Sequence, residues 1–199
     1  MILFYDTETS GLPVRGLPMD DNAQPWIMQV GAMLTDLEGT RIHGALSTLI
    51  KPDGRKGREG AEAIHGITER DCARLGVPEL GPLSMLTSWM GMVRFVVGFG
   101  LNFDQMITAG VIERRGKNVA AWKRPGVKWI DLIETCAQVC KIPSEHESGS
   151  YKWPNLDIAC EMILGESPRE GHHDAFGDAD RARRLFIELK RRGFISVGE

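Results

Sequence analysis

The chain starts with MILFY and then places two acids, Asp6 and Glu8, two positions apart. A run this apolar has no polar face, so as a strand it must be covered on both sides, as at the centre of a helix-flanked sheet. Strand alternation puts both carboxylates on one face, ~6.5–7 Å apart along the chain. Two carboxylates at the end of a buried strand repel each other unless a cation lies between them. Hard divalent ions such as Mg²⁺ take oxygen ligands of this kind. Taken alone, a D-x-E is more simply read as a pair of surface acids, so the rest of the chain has to decide.

The first half reads as strands. IMQVGAMLTD (27–36) and RIHGALSTLI (41–50) form a second and third, and Leu37-Glu38-Gly39-Thr40 between them is short enough for a hairpin turn. Residues 13–26 are rich in Pro, Gly and acid and read as a loop. From residue 61 the pattern changes to helices broken by short strands. AEAIHGITERDCARLG begins with a short helix and then a Thr68 N-cap, 84–93 is helical in period, and RFVVGFG (94–100) is a buried strand. A helix over 102–116 stops at Gly116, VKWI is a further strand, and Asp131 caps DLIETCAQVCK. A polar loop over 143–151 leads to a helix capped by Asn155 and stopped by Gly165. The last helix runs from about Asp174 to Arg191. Antiparallel strands followed by strand–helix units predict one mixed-sheet α/β domain over 1–199.

The net charge of −3 advertises no global attraction to nucleic acid or anionic membrane. Two local basic rims stand out. One holds Arg55, Lys56 and Arg58, the other runs from Glu113 to Lys128, and each alone reads as a solvated loop. No signal peptide and no membrane-spanning run is expected. Cys72, Cys136, Cys140 and Cys160 form no CxxC pair, which argues against a structural zinc site or a disulfide framework. The expectation is a cytoplasmic protein with free thiols and no membrane partner.

Three later features bear on the opening acids. Phe103-Asp104 opens a helix directly after a buried strand, placing a third carboxylate at a strand end. Alone it suits a helix N-terminus. HHDAFGDADRARRLF holds His173 five residues before Asp178, on a helix whose apolar face includes Ala175, Ala179, Ala182, Leu185 and Phe186. AIHGIT (63–68) follows the third strand.

Together these residues resemble the DEDDh subgroup of 3′–5′ exonucleases, which includes proofreading subunits, ribonuclease T, oligoribonuclease and exonuclease X. The motif D-x-E-T-x-G-L appears as Asp6 to Leu12, I-x-Q-V-G-A as Ile27 to Ala32, and H-G-I-T as His65 to Thr68. F-D follows at Phe103-Asp104 and H-x-A-x-x-D at His173, Ala175 and Asp178, all in the family's order. In one place the chain departs: relatives carry His-Asn where this sequence has Phe99-Gly100.

The resemblance implies a ribonuclease H-like fold, with three antiparallel strands, then two parallel ones, and helices on both faces. It implies two Mg²⁺ or Mn²⁺ ions held by Asp6, Glu8, Asp104 and Asp178. His173 would be the general base, as an imidazole near neutrality can be. His172 would be a loop residue, and Asp174 a cap rather than an acid paired with Asp178. Thr7, Thr9, Leu12 and His65 would meet the terminal nucleotide. Lys152 and Trp153, with Tyr151, could flank a single strand, or the ring could simply pack in its loop. The implied substrate is the 3′ end of single-stranded DNA, with RNA the alternative and a catalytically silent binding domain a weaker one. A homodimer or a separate polymerase is the implied protein partner.

Overall fold

The computed structural model describes residues 1–58, 60–144, 150–167 and 171–198. The expected polar loop over 143–151 therefore falls partly outside the described residues. A five-stranded sheet has the order β3-β2-β1-β4-β5. Its strands are β1 (Ile2–Thr9), β2 (Ile27–Thr35), β3 (Ile42–Leu49), β4 (Phe95–Gly98) and β5 (Lys128–Asp131). β1–β2 and β2–β3 pair antiparallel, while β1–β4 and β4–β5 pair parallel. This is the three-plus-two mixed sheet that the sequence predicts.

The apolar opening run lies at the sheet's centre, and both its faces are buried. Leu3 and Tyr5 pack into one cluster with α3 (Leu80–Met90) and α4 (Leu101–Arg114). Ile2 and Phe4 pack on the other side with α5 (Leu132–Cys140), α6 (Leu156–Leu164) and α7 (Ala175–Arg191). The Phe4 and Phe186 rings meet edge-on at 5.4 Å between centroids. Two short helices, α1 (Ala61–His65) and α2 (Glu69–Leu75), follow β3.

The expected caps are all formed. Thr68, Asp131, Asn155 and Asp174 each accept a backbone N–H of the first helical turn. Gly165 ends α6 in the left-handed region with φ +71°. Several boundaries differ from expectation: β4 keeps only Phe95–Gly98 of 94–100, and α4 runs Leu101–Arg114 instead of 102–116. Two differences have a plain cause. β1 runs on through both acids to Thr9, because β2 keeps pairing with it as far as Ile27. α3 begins at Leu80, ahead of Pro82, since amides in the first turn lack intrahelical acceptors and a proline there costs no hydrogen bond. The four cysteines are free and buried. No helix among the described residues is long and apolar enough to cross a membrane.

Candidate active site

β4 pairs with β1 only from Ile2 to Phe4, so β1 continues past its parallel neighbour with that edge uncovered. In open α/β sheets, such a crevice at the carboxyl ends of strands, where the strand order reverses, is where ligands bind. A cavity of about 460 Å³ opens here, lined by Asp6, Thr7, Glu8, Phe103, Asp104, Trp153, His173 and Asp178, among others. Alternation along β1 delivers two sets of side chains. Asp6 and Glu8 continue the face of Ile2 and Phe4, whereas Thr7 and Thr9 continue the face of Leu3 and Tyr5.

The α7 side is built on β2. Asp6 lies opposite Gly31 and Glu8 opposite Gln29 in the ladder. The Gln29 Nε2 donates to Asp174 Oδ1 at 2.7 Å, and the Ala175 N–H donates to Gln29 Oε1 at 3.0 Å. A Cβ on Gly31 would stand 2.2 Å from the Ala175 carbonyl carbon and the Phe176 nitrogen. Only glycine lets the start of α7 come down so close to the sheet. Asp174 Oδ2 accepts the Gly177 N–H at 2.8 Å, which makes Asp174 the cap.

That docking carries His173 and Asp178 to the acids of β1. The His173 Nδ1 lies 3.1 Å from Asp178 Oδ2. One ligand atom each from Glu8, His173 and Asp178 falls within 4.8 Å of the others, and Asp6 lines the same cavity. The carboxylate oxygens of this group fit a hard divalent ion, with the imidazole beside them. His172 takes a different place, its ring against Gly66, where a Cβ would sit 2.6 Å from His172 Cδ2.

Asp104 arrives from the opposite layer, on the first turn of α4. Its side chain is buried, and Oδ1 accepts from the Thr7 N–H at 2.9 Å and the Thr7 hydroxyl at 2.6 Å. Burial nevertheless pushes its carboxyl up to about 7 against those hydrogen bonds. A buried carboxylate in this state is stabilised by a cation. Gly100, at the place where the pattern this sequence resembles has Asn, caps α4 at φ +75° and donates its N–H to Asp131 Oδ1 at 2.9 Å. Asn is among the few L residues that tolerate this left-handed conformation, so the replacement keeps the backbone's requirement.

A second cavity of about 460 Å³ shares Thr7, Glu8 and Phe103 with the first and adds Thr9, Leu12, Ile64 and His65. Leu12 is 75% exposed at its mouth. His65 is buried, with Nε2 3.2 Å from the Thr9 carbonyl and Nδ1 accepting the Ile67 N–H at 3.0 Å. Nε2 therefore carries the proton, and burial holds the ring below the usual histidine range. His65 forms the wall and fixes the backbone of Thr9. Trp153 is 59% exposed at the carboxylate cavity, so it is no packed loop ring.

Several cations of the basic rims are engaged within the fold. Arg55 and Arg115 hold the buried Glu79, and Arg114 reaches the Met19 and Pro25 carbonyls. Arg124 donates to the Gly91 and Val93 carbonyls. Arg58 donates to the Leu12 and Ala23 carbonyls and so anchors the loop after β1. The sequence reading placed Gln29 and Gly31 in the I-x-Q-V-G-A motif but gave neither a role in the site. A glycine inside a buried strand was the available signal of a close backbone approach.

No family model matches the chain, and no curated protein matches it. Solved structures do. E. coli exonuclease I in complex with a 5cy-dT13 oligonucleotide is 22% identical with a TM-score of 0.73, the match covering 96% of this chain and 40% of that one. The zinc-bound form of the E. coli exonuclease I–single-stranded DNA complex gives the same values. Another exonuclease I structure, described as suggesting how processivity is achieved, reaches a TM-score of 0.75 at 22% identity over 97% of this chain and 42% of that one. The chain thus spans about two-fifths of the length of these proteins. It has the ribonuclease H-like fold that they share.

Proposed function

We propose that this chain is a metal-dependent 3′–5′ exonuclease that removes nucleoside 5′-monophosphates from single-stranded DNA. One observation carries the reading. Asp6, Glu8, Asp104, His173 and Asp178, drawn from three distant stretches, line a single cavity in a fold shared with exonuclease I. A pair of divalent ions, Mg²⁺ or Mn²⁺, would supply an acidified water and a hold on the leaving oxygen.

The chain's own residues would do the rest. Asp6, Glu8 and Asp178 would hold one ion, and Asp104 with Asp6 would hold the second. His173 would take the proton of the attacking water. Its Nδ1 faces the Asp178 carboxylate at 3.1 Å, which makes Nε2 the accepting nitrogen. Thr7 keeps Asp104 in place through two hydrogen bonds. Leu12, Ile64 and Phe103 give the second cavity an apolar wall suited to the face of a terminal base.

The test is digestion of matched DNA and RNA single strands labelled at either end, with Mg²⁺ and with EDTA. A 5′-labelled DNA strand should shorten in a ladder, and a 3′-labelled one should release its label at once as a mononucleotide. Metal-independent cleavage, or a ladder from the 3′-labelled strand, would overturn the proposal. Faster loss of RNA would reassign the substrate.

A further inference from the structure

Among the described residues, the exposed Phe, Tyr and Trp side chains are Tyr151 at 37%, Trp153 at 59% and Phe194 at 52%. All three line one groove of about 650 Å³ beside α5, together with Glu134, Thr135 and Gln138. These rings come from two segments far apart in the chain, the stretch before α6 and the turn after α7. Bare aromatic surface is costly in water, and a cluster of it marks a place where something binds. Trp153 lines both this groove and the carboxylate cavity, so the two adjoin at its ring.

We propose that the groove is the track for the bases preceding the 3′ terminus. It extends the exonuclease reading and rests on it. A strand whose end lies among the carboxylates passes Trp153 and stacks its next bases on Tyr151 and Phe194. Stacking of this kind accepts any base. Charge sets the orientation. Glu134 on the wall repels phosphate, so the strand enters with its bases inward and its backbone toward water. Stacking then carries much of the upstream affinity.

The double variant Tyr151→Ala/Phe194→Ala removes two exposed rings and leaves the core intact, which a thermal melt checks. Two measurements follow: hydrolysis of oligothymidylates of three and ten nucleotides with Mg²⁺, and anisotropy of a fluorescein-labelled decamer with Ca²⁺. The wild type should show a KM for the decamer below that for the trimer, on the order of tenfold per stacked base. The variant should lose that advantage while kcat for the decamer holds. Equal KM ratios in the two proteins, or a wild type indifferent to length, would overturn the track. If neither strand is hydrolysed, the exonuclease reading fails, and the binding arm still judges the groove. Decamer bound by the wild type and lost in the variant upholds it; decamer bound equally by both, or by neither, overturns it. A dimer that comes apart in the variant on sedimentation assigns the groove to a second copy instead.

Discussion

The Thr7 hydroxyl donates to Asp104 Oδ1 at 2.6 Å and ties the central strand to α4 on the side of the sheet away from Asp6 and Glu8. Thr7→Val keeps the shape and the backbone N–H but deletes this donor. A hydrogen bond to a buried charged group is worth ~1.5–3 kcal/mol. We expect a lower Tm at pH 8 and weaker binding of Mn²⁺, read by melting and by calorimetric titration.

Asp104 itself predicts a pH dependence. Its carboxyl in the folded protein stands at about 7 because of burial, against roughly 3.9 for an aspartate in an unfolded chain. The folded state therefore holds this proton more tightly, and metal-free stability falls as pH rises from about 4 to about 7. Asp104→Asn should remove that slope and raise the Tm in EDTA at pH 8. The same substitution should abolish most of the stabilisation that Mn²⁺ gives the wild type. Parallel Tm-against-pH curves for the two proteins in EDTA would disprove the assignment.

Gly31→Ala tests how α7 is positioned. The added Cβ would meet backbone atoms at 2.2 Å, so the helix start must lift. Overpacking of this sort costs ~1–3 kcal/mol. Loss of activity should exceed what stability alone explains, because His173 and Asp178 move with the helix. Activity should fall at least a hundredfold at temperatures where circular dichroism still shows a folded protein.

His173→Ala should lower kcat by ~10²–10⁴-fold, the range for losing a general base. Strand affinity and Tm should change little, since the side chain is 44% exposed. Near-normal turnover would take the proton-transfer role from His173.

Gly100 separates backbone demand from side-chain role. With φ +75° and no atom within 4 Å of a built Cβ, Asn should be accepted at little cost in Tm. Valine at the same place should destabilise by ~1–2 kcal/mol, the penalty for a left-handed L residue. Equal melting of the two variants would show that the conformation is not what restricts this position.

The features legible in the sequence are those set by neighbours along the chain. Alternation placed Asp6 and Glu8 on one face, and cap chemistry located the starts of α2, α5, α6 and α7. What escaped depends on partners far away. Gln29 stands out only as a motif letter, and its task appears when Asp174 and Ala175, some 145 positions on, are found to need it. Arg114 and Arg58 read as free cations because the carbonyls that they hold lie 95 and 46 positions away. The exposure of Tyr151, Trp153 and Phe194 is a property of the folded surface, and no local pattern separates such rings from those of the core.

One strand feeds both helical layers at the cleft, with even positions turned toward α7 and odd positions toward α4. Sliding that strand by a single residue would exchange the two sets and turn Asp6 and Glu8 away from Asp178. On the proposed reading, ion capture would be available only to a chain whose central ladder has already found its alignment, so cation affinity would double as a readout of correct assembly.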